Sequence, residues 1–377
     1  MSSNPKSILI VAGEPSGDNA GGLLAAEIKL LNPEIELFGL GGDSMDVSGV
    51  HIRYHVNQLS ILGFVEILKH IPFIKEVEAD LLEQVRLRKP SLAILIDYPG
   101  FNMRLAAKFK DMNIPIMYYV SPQVWAWGKN RIAKIRALVA KMVVVFEFEK
   151  KMYEKENVPV EWFGHPLLEI VRPKFERSAF LKKIGLSESD KYIGLFPGSR
   201  KQEISRILPV MSQSIQSLNS IGNKFSGIVG CAGGMELAEY RQLGGDHLKY
   251  VGAQTYDLMA HSEFNLVASG TATLECAMLN RPLFVLYKTS MITYLLAKSM
   301  IKIPYIGLVN VVAGRKIVPE FIQSECNPRE ISSALRGYLE NPSLIAEMKS
   351  DLSDIKSKLG PPGASQKVAE LALRMLG

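Results

Sequence analysis

The 377-residue sequence predicts an α/β protein with two Rossmann-like domains that face each other across a cleft, each on a mostly parallel sheet. Short apolar runs of strand length alternate with amphipathic stretches along the whole chain. The alternation restarts at Tyr192, after a charged segment. The length also exceeds that of a single average domain.

In the first half, continuous apolar runs indicate buried parallel strands. The first of these, at 8–12, leads through a turn at 13–18 into a helix with apolar positions up to Leu31. A second helix has its apolar face at positions 74–85 and ends before Pro90. Further strands are predicted at 35–40, 92–96, 115–120, 142–146 and 160–163.

In the second half, the charged segment 172–191, which contains Pro173, is interpreted as a linker. A C-terminal helix follows Pro361 and Pro362, and we consider that it packs back on the first domain. The expected domains are 1–171, 172–350 and a helical tail at 351–377. Strands are predicted at 192–196, 226–231, 248–251, 264–268, 283–286 and 306–312.

Composition excludes several classes of protein. Lys and Arg number 44 against 38 Asp and Glu, and the resulting charge of +6 suits anionic ligands or an anionic membrane surface without indicating nucleic acid. The three cysteines lack metal-site spacing, and Asp-x-Asp and His-x-His pairs are missing, so we expect neither a metal nor another cofactor. No apolar run reaches 18 residues, which predicts a cytoplasmic protein that does not span a membrane.

The segment 264–278 changes from an apolar run to helical spacing at Ser269, Gly270 and Thr271. A helix that begins after this change would offer N–H groups and its positive dipole end to a pyrophosphate, and Ala272 is a further candidate for this site. Glu275, one turn later, could accept hydrogen bonds from a ribose. A well-capped helix without a ligand explains the same residues equally well.

Two other turns of the second half carry guanidinium groups. Ser199 and Arg200 follow the strand at 192–196, where Arg200 could neutralise a departing diphosphate; a surface ion pair is the less favoured alternative. The other turn runs from Gly307 to Arg315, with the Asn310 amide towards the end of the predicted strand at 306–312 and the Arg315 guanidinium after it, and a polar loop is nearly as good an interpretation.

In the first half, candidate polar residues also follow strands. Asp97 ends the apolar run 92–96, the position at which parallel-sheet enzymes keep catalytic groups, and a carboxylate there can accept a proton from a sugar hydroxyl. Capping of the next turn is an equal alternative. The turn at 13–18 and the residues after Asp97 supply further candidates, namely Glu14, Ser16, Asp18 and Asn102.

Aromatic and apolar residues add three more features. Trp125 and Trp127 suit sugar faces or a packed hinge, and His165 is more often structural than catalytic. The stretch 59–73 is too apolar for a surface helix, which favours contact with lipid through Ile61, Leu62, Phe64, Val65 and Leu68. For the stretch 291–305, lipid contact and burial in the core remain equal alternatives.

Together these blocks resemble the lipid-A-disaccharide synthase family, in the family's order and over nearly the whole chain. The blocks are 13–18, 96–102, 121–127, 197–200, 269–275 and 310–315. Many members have a second Asp where this chain has Gly100, a departure that makes Asp97 the stronger candidate for the base.

The resemblance implies a GT-B glycosyltransferase that is peripheral on the cytoplasmic face of a Gram-negative inner membrane. It would join UDP-2,3-diacylglucosamine to 2,3-diacylglucosamine 1-phosphate (lipid X) with inversion, forming a β-1,6 disaccharide and releasing UDP. Asp97 would be the base, Arg200 would stabilise the leaving UDP, the 269–271 turn would bind the pyrophosphate and Glu275 the ribose. The oligomeric state, a homodimer included, stays open.

Two other functions fit parts of the pattern. A UDP-sugar 2-epimerase or a MurG-like transferase would share the nucleotide turn. The epimerase, unlike the lipid-A-disaccharide synthases, would need no lipid surface. A non-catalytic sugar-nucleotide-binding protein would keep the turns without chemistry, and the joint presence of Asp97, Arg200 and Glu275 disfavours it.

Overall fold

The computed structural model describes residues 6–59, 67–125, 131–220, 222, 224–233, 235–300 and 303–377. These fall into two compact units, which are described separately below. Unit 1 comprises residues 1–169 together with 359–377, and unit 2 comprises residues 170–358.

Unit 1 contains a seven-stranded sheet in which every pairing is parallel. Its five inner strands are largely apolar and nearly all buried, as expected of a sheet covered on both faces, whereas the two edge strands carry polar residues and are only partly buried. The spatial order is β3-β2-β1-β4-β5-β6-β7. The strands are β1 (Ser7–Ala12), β2 (Glu36–Gly41), β3 (Val50–His55), β4 (Leu92–Ile96), β5 (Ile116–Tyr119), β6 (Lys141–Val144) and β7 (Val160–Trp162).

Among the described residues up to position 170, eight helices connect or follow these strands. They bury one side against the sheet, as Val77, Leu81 and Val85 do from the fourth helix. The helices are α1 (Pro15–Leu31), α2 (Asp43–Val47), α3 (Val56–Leu59), α4 (Ile67–Arg88), α5 (Pro99–Asp111), α6 (Arg131–Leu138), α7 (Glu147–Lys155) and α8 (Leu167–Ile170).

Unit 2 contains a six-stranded parallel sheet in the order β10-β9-β8-β11-β12-β13. Its strands are β8 (Tyr192–Phe196), β9 (Ser226–Cys231), β10 (Lys249–Gly252), β11 (Phe264–Ala268), β12 (Leu283–Tyr287) and β13 (Glu320–Ile322). Its helices are α9 (Arg177–Lys183), α10 (Lys201–Asn219), α11 (Leu237–Gly244), α12 (Thr255–His261), α13 (Ala272–Met278), α14 (Met291–Met300), α15 (Leu308–Ala313), α16 (Pro328–Glu340), α17 (Pro342–Ser353) and α18 (Ile355–Lys358).

The last helix, α19 (Ala364–Arg374), belongs to unit 1 and packs against α1. Val368 and Ala372 are buried in this contact region. The last residues of this segment lie beside Lys6, whose Nζ donates to the carbonyl of Leu376 at 3.0 Å. Residues 351–358 lie in unit 2.

Two expectations about unit 2 are wrong. The apolar segment at 306–312 is not a strand, because helix α15 begins at Leu308, directly after Gly307. The segment 172–191 is not an open linker: it contains α9, and the Asp257 carboxylate accepts from the N–H groups of Lys174 (2.8 Å) and Phe175 (2.7 Å). The segment 172–191 is therefore part of the folded unit 2, and its contacts with the rest of that unit begin at Lys174.

In each sheet the strand order reverses at one point. In unit 1 the chain moves from β1 outward through β2 to β3, and β4 then pairs on the other side of β1. In unit 2 β8, β9 and β10 run one way, and β11 pairs on the other side of β8. Ligands of open parallel sheets bind beyond the carboxyl ends of the strands at such points.

Candidate active site

In unit 1, the turns after β1 and β4 contact each other at the reversal point. The Tyr98 ring lies so close to Gly13 that a methyl group there would be 2.2 Å from Cδ1 of the ring. Glycine is therefore needed at position 13 to admit the ring. This contact brings the turn that contains Glu14 next to the turn that contains Asp97.

The chain reverses sharply at Asp97. The N–H of Asp97 still pairs with the carbonyl of Tyr119 in the neighbouring strand (3.1 Å), but Asp97 and Tyr98 then have φ angles of 45° and 47°. Both residues are thus in the left-handed region, which is uncommon for residues other than glycine and concentrates at functional sites.

Two buried side chains hold the carbonyl of Asp97. The Tyr118 hydroxyl donates to it at 2.6 Å, and the Asn102 amide nitrogen donates to it at 2.8 Å and to the Ile96 carbonyl at 3.1 Å. Tyr118 and Asn102 are both fully buried. The structure therefore places Asn102 beneath the turn, while the substrate contact expected of it stays a prediction.

The candidates of the 13–18 turn differ in exposure. Ser16 is exposed and Glu14 is partly buried at the start of α1. Asp18 is buried, and its carboxylate accepts from the N–H groups of Gly42 (2.6 Å), Ser44 (3.0 Å) and Met45 (3.1 Å). Asp18 thus ties the turn to the start of α2, and its expected substrate contact stays a prediction.

The loop after β5 is anchored by a residue that the sequence interpretation missed. Ser121 Oγ (2.7 Å) and Trp125 Nε1 (3.0 Å) donate to one oxygen of Glu149, and the N–H groups of Val145 (3.3 Å) and Phe146 (3.2 Å) donate to the other. Burial raises the pKa of Glu149 to about 7, although these four donors lower it. Trp127 lies outside the described residues.

His165 has a structural environment. It is buried, its Nδ1 accepts from the N–H of Leu167 at 3.1 Å, and burial lowers its pKa to about 3. A histidine with this pKa is neutral at physiological pH. The structural interpretation of His165 is therefore the one that the geometry supports.

In unit 2, the turn after β8 is shaped by Gly198. Its φ is 107°, and a methyl group there would lie 2.0 Å from Oε2 of Glu203. The turn places Ser199 and Arg200 in exposed positions at the start of α10. Burial raises the pKa of Tyr287 at the end of β12; the Glu203 carboxylate adds to this shift and the Arg200 guanidinium opposes it. The Arg200 guanidinium is therefore close enough to the end of β12 to interact electrostatically with Tyr287.

The turn after β11 has the predicted change from strand to helix: β11 ends at Ala268 and α13 begins at Ala272. The first N–H groups of a helix have no partner within it. Thr273 bonds back to the Gly270 carbonyl through Oγ1 (2.8 Å), and the Ser269 hydroxyl donates to the Ile306 carbonyl at 3.0 Å. Gly270 and Thr271 are only partly buried.

Glu275 lies one turn into α13 and is partly buried. Burial raises its pKa to about 7. Burial also raises the pKa of Tyr256 in α12, and the nearby Glu275 carboxylate adds to that shift. The two side chains therefore lie near each other, and Tyr256 is a neighbour of the turn that the sequence interpretation missed.

Asn310 and Arg315 have partners within unit 2. Asn310 is fully buried: its amide donates to Val318 (2.9 Å) and Glu320 (2.8 Å), and its Oδ1 accepts from two N–H groups. Arg315 is exposed and forms a two-bond ion pair with Asp351, which lowers the pKa of that carboxyl. Direct ligand contact by either residue stays a prediction.

The residues expected to contact lipid fall mostly outside the described structure. Ile61, Leu62, Phe64 and Val65 lie outside the described residues, and Leu68 lies in α4 without a described side chain. Of the second apolar stretch, Met291 and Leu295 on α14 are both more than half exposed. These two side chains are therefore not part of the core.

Within the described ranges, no group of three or more His, Cys, Asp or Glu side chains is arranged to hold a metal ion. No helix in the part of the chain that the structure describes is long and apolar enough to cross a membrane.

Comparison with solved structures identifies the fold. The chain superposes on UDP-GlcNAc 2-epimerase from Neisseria meningitidis with a TM-score of 0.65 and 15% identity, covering 98% of this chain and 100% of that one. The S. aureus MnaA–UDP structure gives a TM-score of 0.68 at 13% identity, covering 98% of this chain and 97% of that one. The predicted GT-B architecture of two Rossmann-like units is confirmed.

Comparison with families and characterised relatives is more specific. The lipid-A-disaccharide synthetase family model matches residues 8–374. The chain is 38% identical to the lipid-A-disaccharide synthase of Geobacter metallireducens over 375 residues, covering 99% of this chain and 98% of that protein. It is 35% identical to the enzyme of that name from Myxococcus xanthus, over 99% of this chain and 98% of that protein. The chain therefore belongs to the lipid-A-disaccharide synthetase family.

Proposed function

We propose that the chain is an inverting glycosyltransferase that joins UDP-2,3-diacylglucosamine to 2,3-diacylglucosamine 1-phosphate. The product is a β-1,6-linked disaccharide, and UDP is released. The observation that carries this proposal is the family match over residues 8–374, together with relatives of the same name that align over nearly the whole chain. The alternative functions considered from the sequence are not favoured by these matches.

For the UDP-sugar we propose the reversal point of the unit 2 sheet. The turns after β8 and β11 are neighbours there, because these two strands pair directly. N–H groups of residues 270–272 in this turn would bind the pyrophosphate, with Ser199 beside it, and Arg200 would neutralise the charge that develops as UDP leaves. A solved structure with this fold was determined with UDP, which supports a nucleotide ligand.

The remaining candidates of unit 2 have supporting parts in this proposal. Glu275 would accept hydrogen bonds from the ribose hydroxyls. Asn310 would act through Glu320, because its amide donates to the Glu320 carboxylate, which also accepts from the N–H of Ile306, and the Ile306 carbonyl accepts from Ser269. Arg315, which is paired with Asp351, would contact the donor only if it left that ion pair.

For the acceptor we propose the reversal point of the unit 1 sheet, with Asp97 as the general base. The acceptor 6-oxygen forms a bond to C1 of the donor sugar while the bond from C1 to the UDP oxygen breaks. The proton of the 6-hydroxyl passes to the Asp97 carboxylate, and the electron pair leaves with UDP. Glu14, Ser16, Asp18 and Asn102 line or support the turns around Asp97.

The test is an incubation of the purified protein with both acylated substrates, followed by mass spectrometry of the lipid products and measurement of UDP. We expect the disaccharide and UDP in equal amounts, and no disaccharide from Asp97→Asn although that variant still binds UDP. Turnover of UDP-GlcNAc without an acyl acceptor would favour an epimerase instead. Near-normal activity of Asp97→Asn would remove Asp97 as the base.

We also propose that the protein works at the cytoplasmic surface of the inner membrane and contacts anionic lipid through the stretch 59–73. Both substrates carry acyl chains, so the reaction needs access to a lipid phase. The net charge of +6 and the sequence pI of about 9.0 favour an anionic surface. At the described end of this stretch, Ile71 is a large apolar side chain that is exposed.

A further inference from the structure

The Asp97 turn depends on contacts below it. Asp97 and Tyr98 are consecutive left-handed residues, and neither is a glycine. Such a backbone persists only where the surrounding structure holds it. The backbone conformation at Asp97 sets the direction in which its side chain points. The groups that hold this turn therefore also determine the position of the Asp97 carboxylate.

The carbonyl groups of three consecutive residues, 96–98, accept hydrogen bonds from two residues of unit 1, Asn102 and Tyr118. The Asn102 amide nitrogen donates to the carbonyls of Ile96 and Asp97, and the backbone N–H of Asn102 donates to the carbonyl of Tyr98 at 3.1 Å. The Tyr118 hydroxyl supplies the second bond to the Asp97 carbonyl, at 2.6 Å. Two donors are as many as the two lone pairs of this oxygen accept.

We propose that Tyr118 and Asn102 are positioning residues, which fix the peptide group after Asp97 and thereby the direction of the Asp97 carboxylate. This inference rests on the proposed function, in which Asp97 is the base. Both side chains are fully buried, so they act on the reaction through Asp97 rather than by touching the substrate.

The chemistry of Tyr118 suits this task. Burial raises the pKa of its phenol well above the usual value, and the nearby Asp97 charge adds to the shift. The phenol therefore keeps its proton and remains a donor throughout the pH range in which the enzyme works. The carboxylate of a general base must lie within hydrogen-bond reach of the proton that it removes, so a small rotation of the turn is costly for catalysis.

The test compares Tyr118→Phe with Tyr119→Phe. Tyr119 is the next residue of β5 and is also buried, but its hydroxyl lies near Ser365 and makes no hydrogen bond to the Asp97 carbonyl. Tyr118→Phe removes the hydrogen bond to the Asp97 carbonyl. Tyr119→Phe makes the same chemical change in the same strand but leaves that hydrogen bond in place. Steady-state kinetics with both acylated substrates and the melting temperature are measured for each variant.

For Tyr118→Phe we expect kcat to fall roughly tenfold or more, because displacement of a catalytic group by about 1 Å can cost up to a hundredfold. KM for each substrate is expected to stay within about twofold of wild type, since neither substrate contacts Tyr118. Tyr119→Phe is expected to keep the kcat of the wild type. Asn102→Ser, which shortens the second donor, is expected to lower kcat in the same way if it folds.

A double variant separates positioning from a general effect on folding. In Asp97→Glu the longer side chain already displaces the carboxylate, so adding Tyr118→Phe is expected to lower kcat less than it does in the wild-type chain. Equal losses in the two backgrounds would overturn the proposal. A kcat for Tyr118→Phe equal to that of Tyr119→Phe would also overturn it, while an inactive Asp97→Asn would leave the proposed function intact. Full activity of Asp97→Asn would instead refute the role of Asp97 itself.

Discussion

Glu149 accepts hydrogen bonds from two side chains of the loop after β5 and from two N–H groups of the turn after β6. All four donors favour the ionised form of the carboxyl, and burial opposes it. Burial has the larger effect, so the pKa is raised from 4.5 to about 7. Glu149 therefore connects two loops at the carboxyl edge of the sheet. Because its pKa is raised, its contribution to the free energy of unfolding depends on pH.

The sign of this contribution gives a prediction for stability. Between about pH 4.5 and pH 7 the folded state keeps a proton on Glu149 that the unfolded chain has lost, so this residue lowers stability as the pH rises through that range. Glu149→Gln removes the titration. We therefore expect the melting temperature of wild type to fall more between pH 5 and pH 8 than that of Glu149→Gln.

The matched control is Glu147→Gln, which changes an exposed glutamate on the same helix that pairs with Lys151. It is expected to keep the pH dependence of the wild-type melting curve. Glu275, whose pKa is also raised to about 7, contributes in the same direction in all three proteins and cancels in the comparison. Identical pH dependence in Glu149→Gln and wild type would contradict this account.

At the scale of the elements, the contact between the β1 turn and the β4 turn is the tightest described feature of the unit 1 site. It requires that position 13 have no side chain, because the Tyr98 ring occupies the space. Gly13 thus determines how closely the turn after β1 approaches the turn after β4.

We expect Gly13→Ala to displace Tyr98 and with it the Asp97 turn, lowering kcat/KM by roughly tenfold or more. The melting temperature should fall as well, since a methyl group 2.2 Å from a ring carbon forces the turns apart. Gly100→Ala is the control, because a methyl group at Gly100 meets no heavy atom within 4 Å and lies within α5. Disaccharide formation and thermal unfolding report both effects, and wild-type values for Gly13→Ala would show that the turns can separate without loss.

The elements also show what local sequence can predict. The apolar runs of β4 and β11 are buried along their whole length, and their bounds follow directly from the sequence. The edge strand β3 was missed because His51, Arg53 and His55 alternate with less polar residues and break the apolar run. Strand β13 begins with Glu320, so only two apolar residues, Phe321 and Ile322, remain to indicate it.

The segment at 306–312 is the informative error. Its apolar residues suit a strand, but Glu320 in β13 accepts from the N–H groups of Ile306 (3.0 Å) and Gly307 (2.9 Å) and so supports the start of α15. The Asn310 amide donates to the same carboxylate. This arrangement depends on a residue ten positions or more away in sequence, which periodicity within the segment does not reveal. For the same reason the sequence identified Asp97 as a candidate but not Tyr118, whose role exists only through the contact.

At the scale of the whole molecule, the proposed lipid contact can be tested directly. Replacing Leu62, Phe64 and Leu68 by serine removes apolar side chains from the stretch 59–73, and we expect the protein to stop sedimenting with vesicles that contain anionic phospholipid. High salt should weaken binding of the wild-type protein, because the electrostatic part of the attraction is screened.

Leu30 and Leu87 provide the control for exposed apolar surface in general. They are 77% and 70% exposed and lie near the ends of α1 and α4, outside the stretch. Leu30→Ser with Leu87→Ser is expected to leave vesicle binding unchanged. Unaltered sedimentation of the triple variant, or an equal loss in this control, would contradict a specific role for 59–73.

The return of α19 to unit 1 has a consequence for biogenesis. Residues 170–358 form one continuous stretch, so unit 2 can complete its sheet as soon as they have left the ribosome. Unit 1 can form its sheet from residues 7–162 but cannot complete its packing, because the surface of α1 that contacts α19 stays open until residues 359–377 have been translated. During that interval the apolar surface of α1 remains accessible to chaperones. Unit 1, whose strands are translated first, is therefore completed after unit 2.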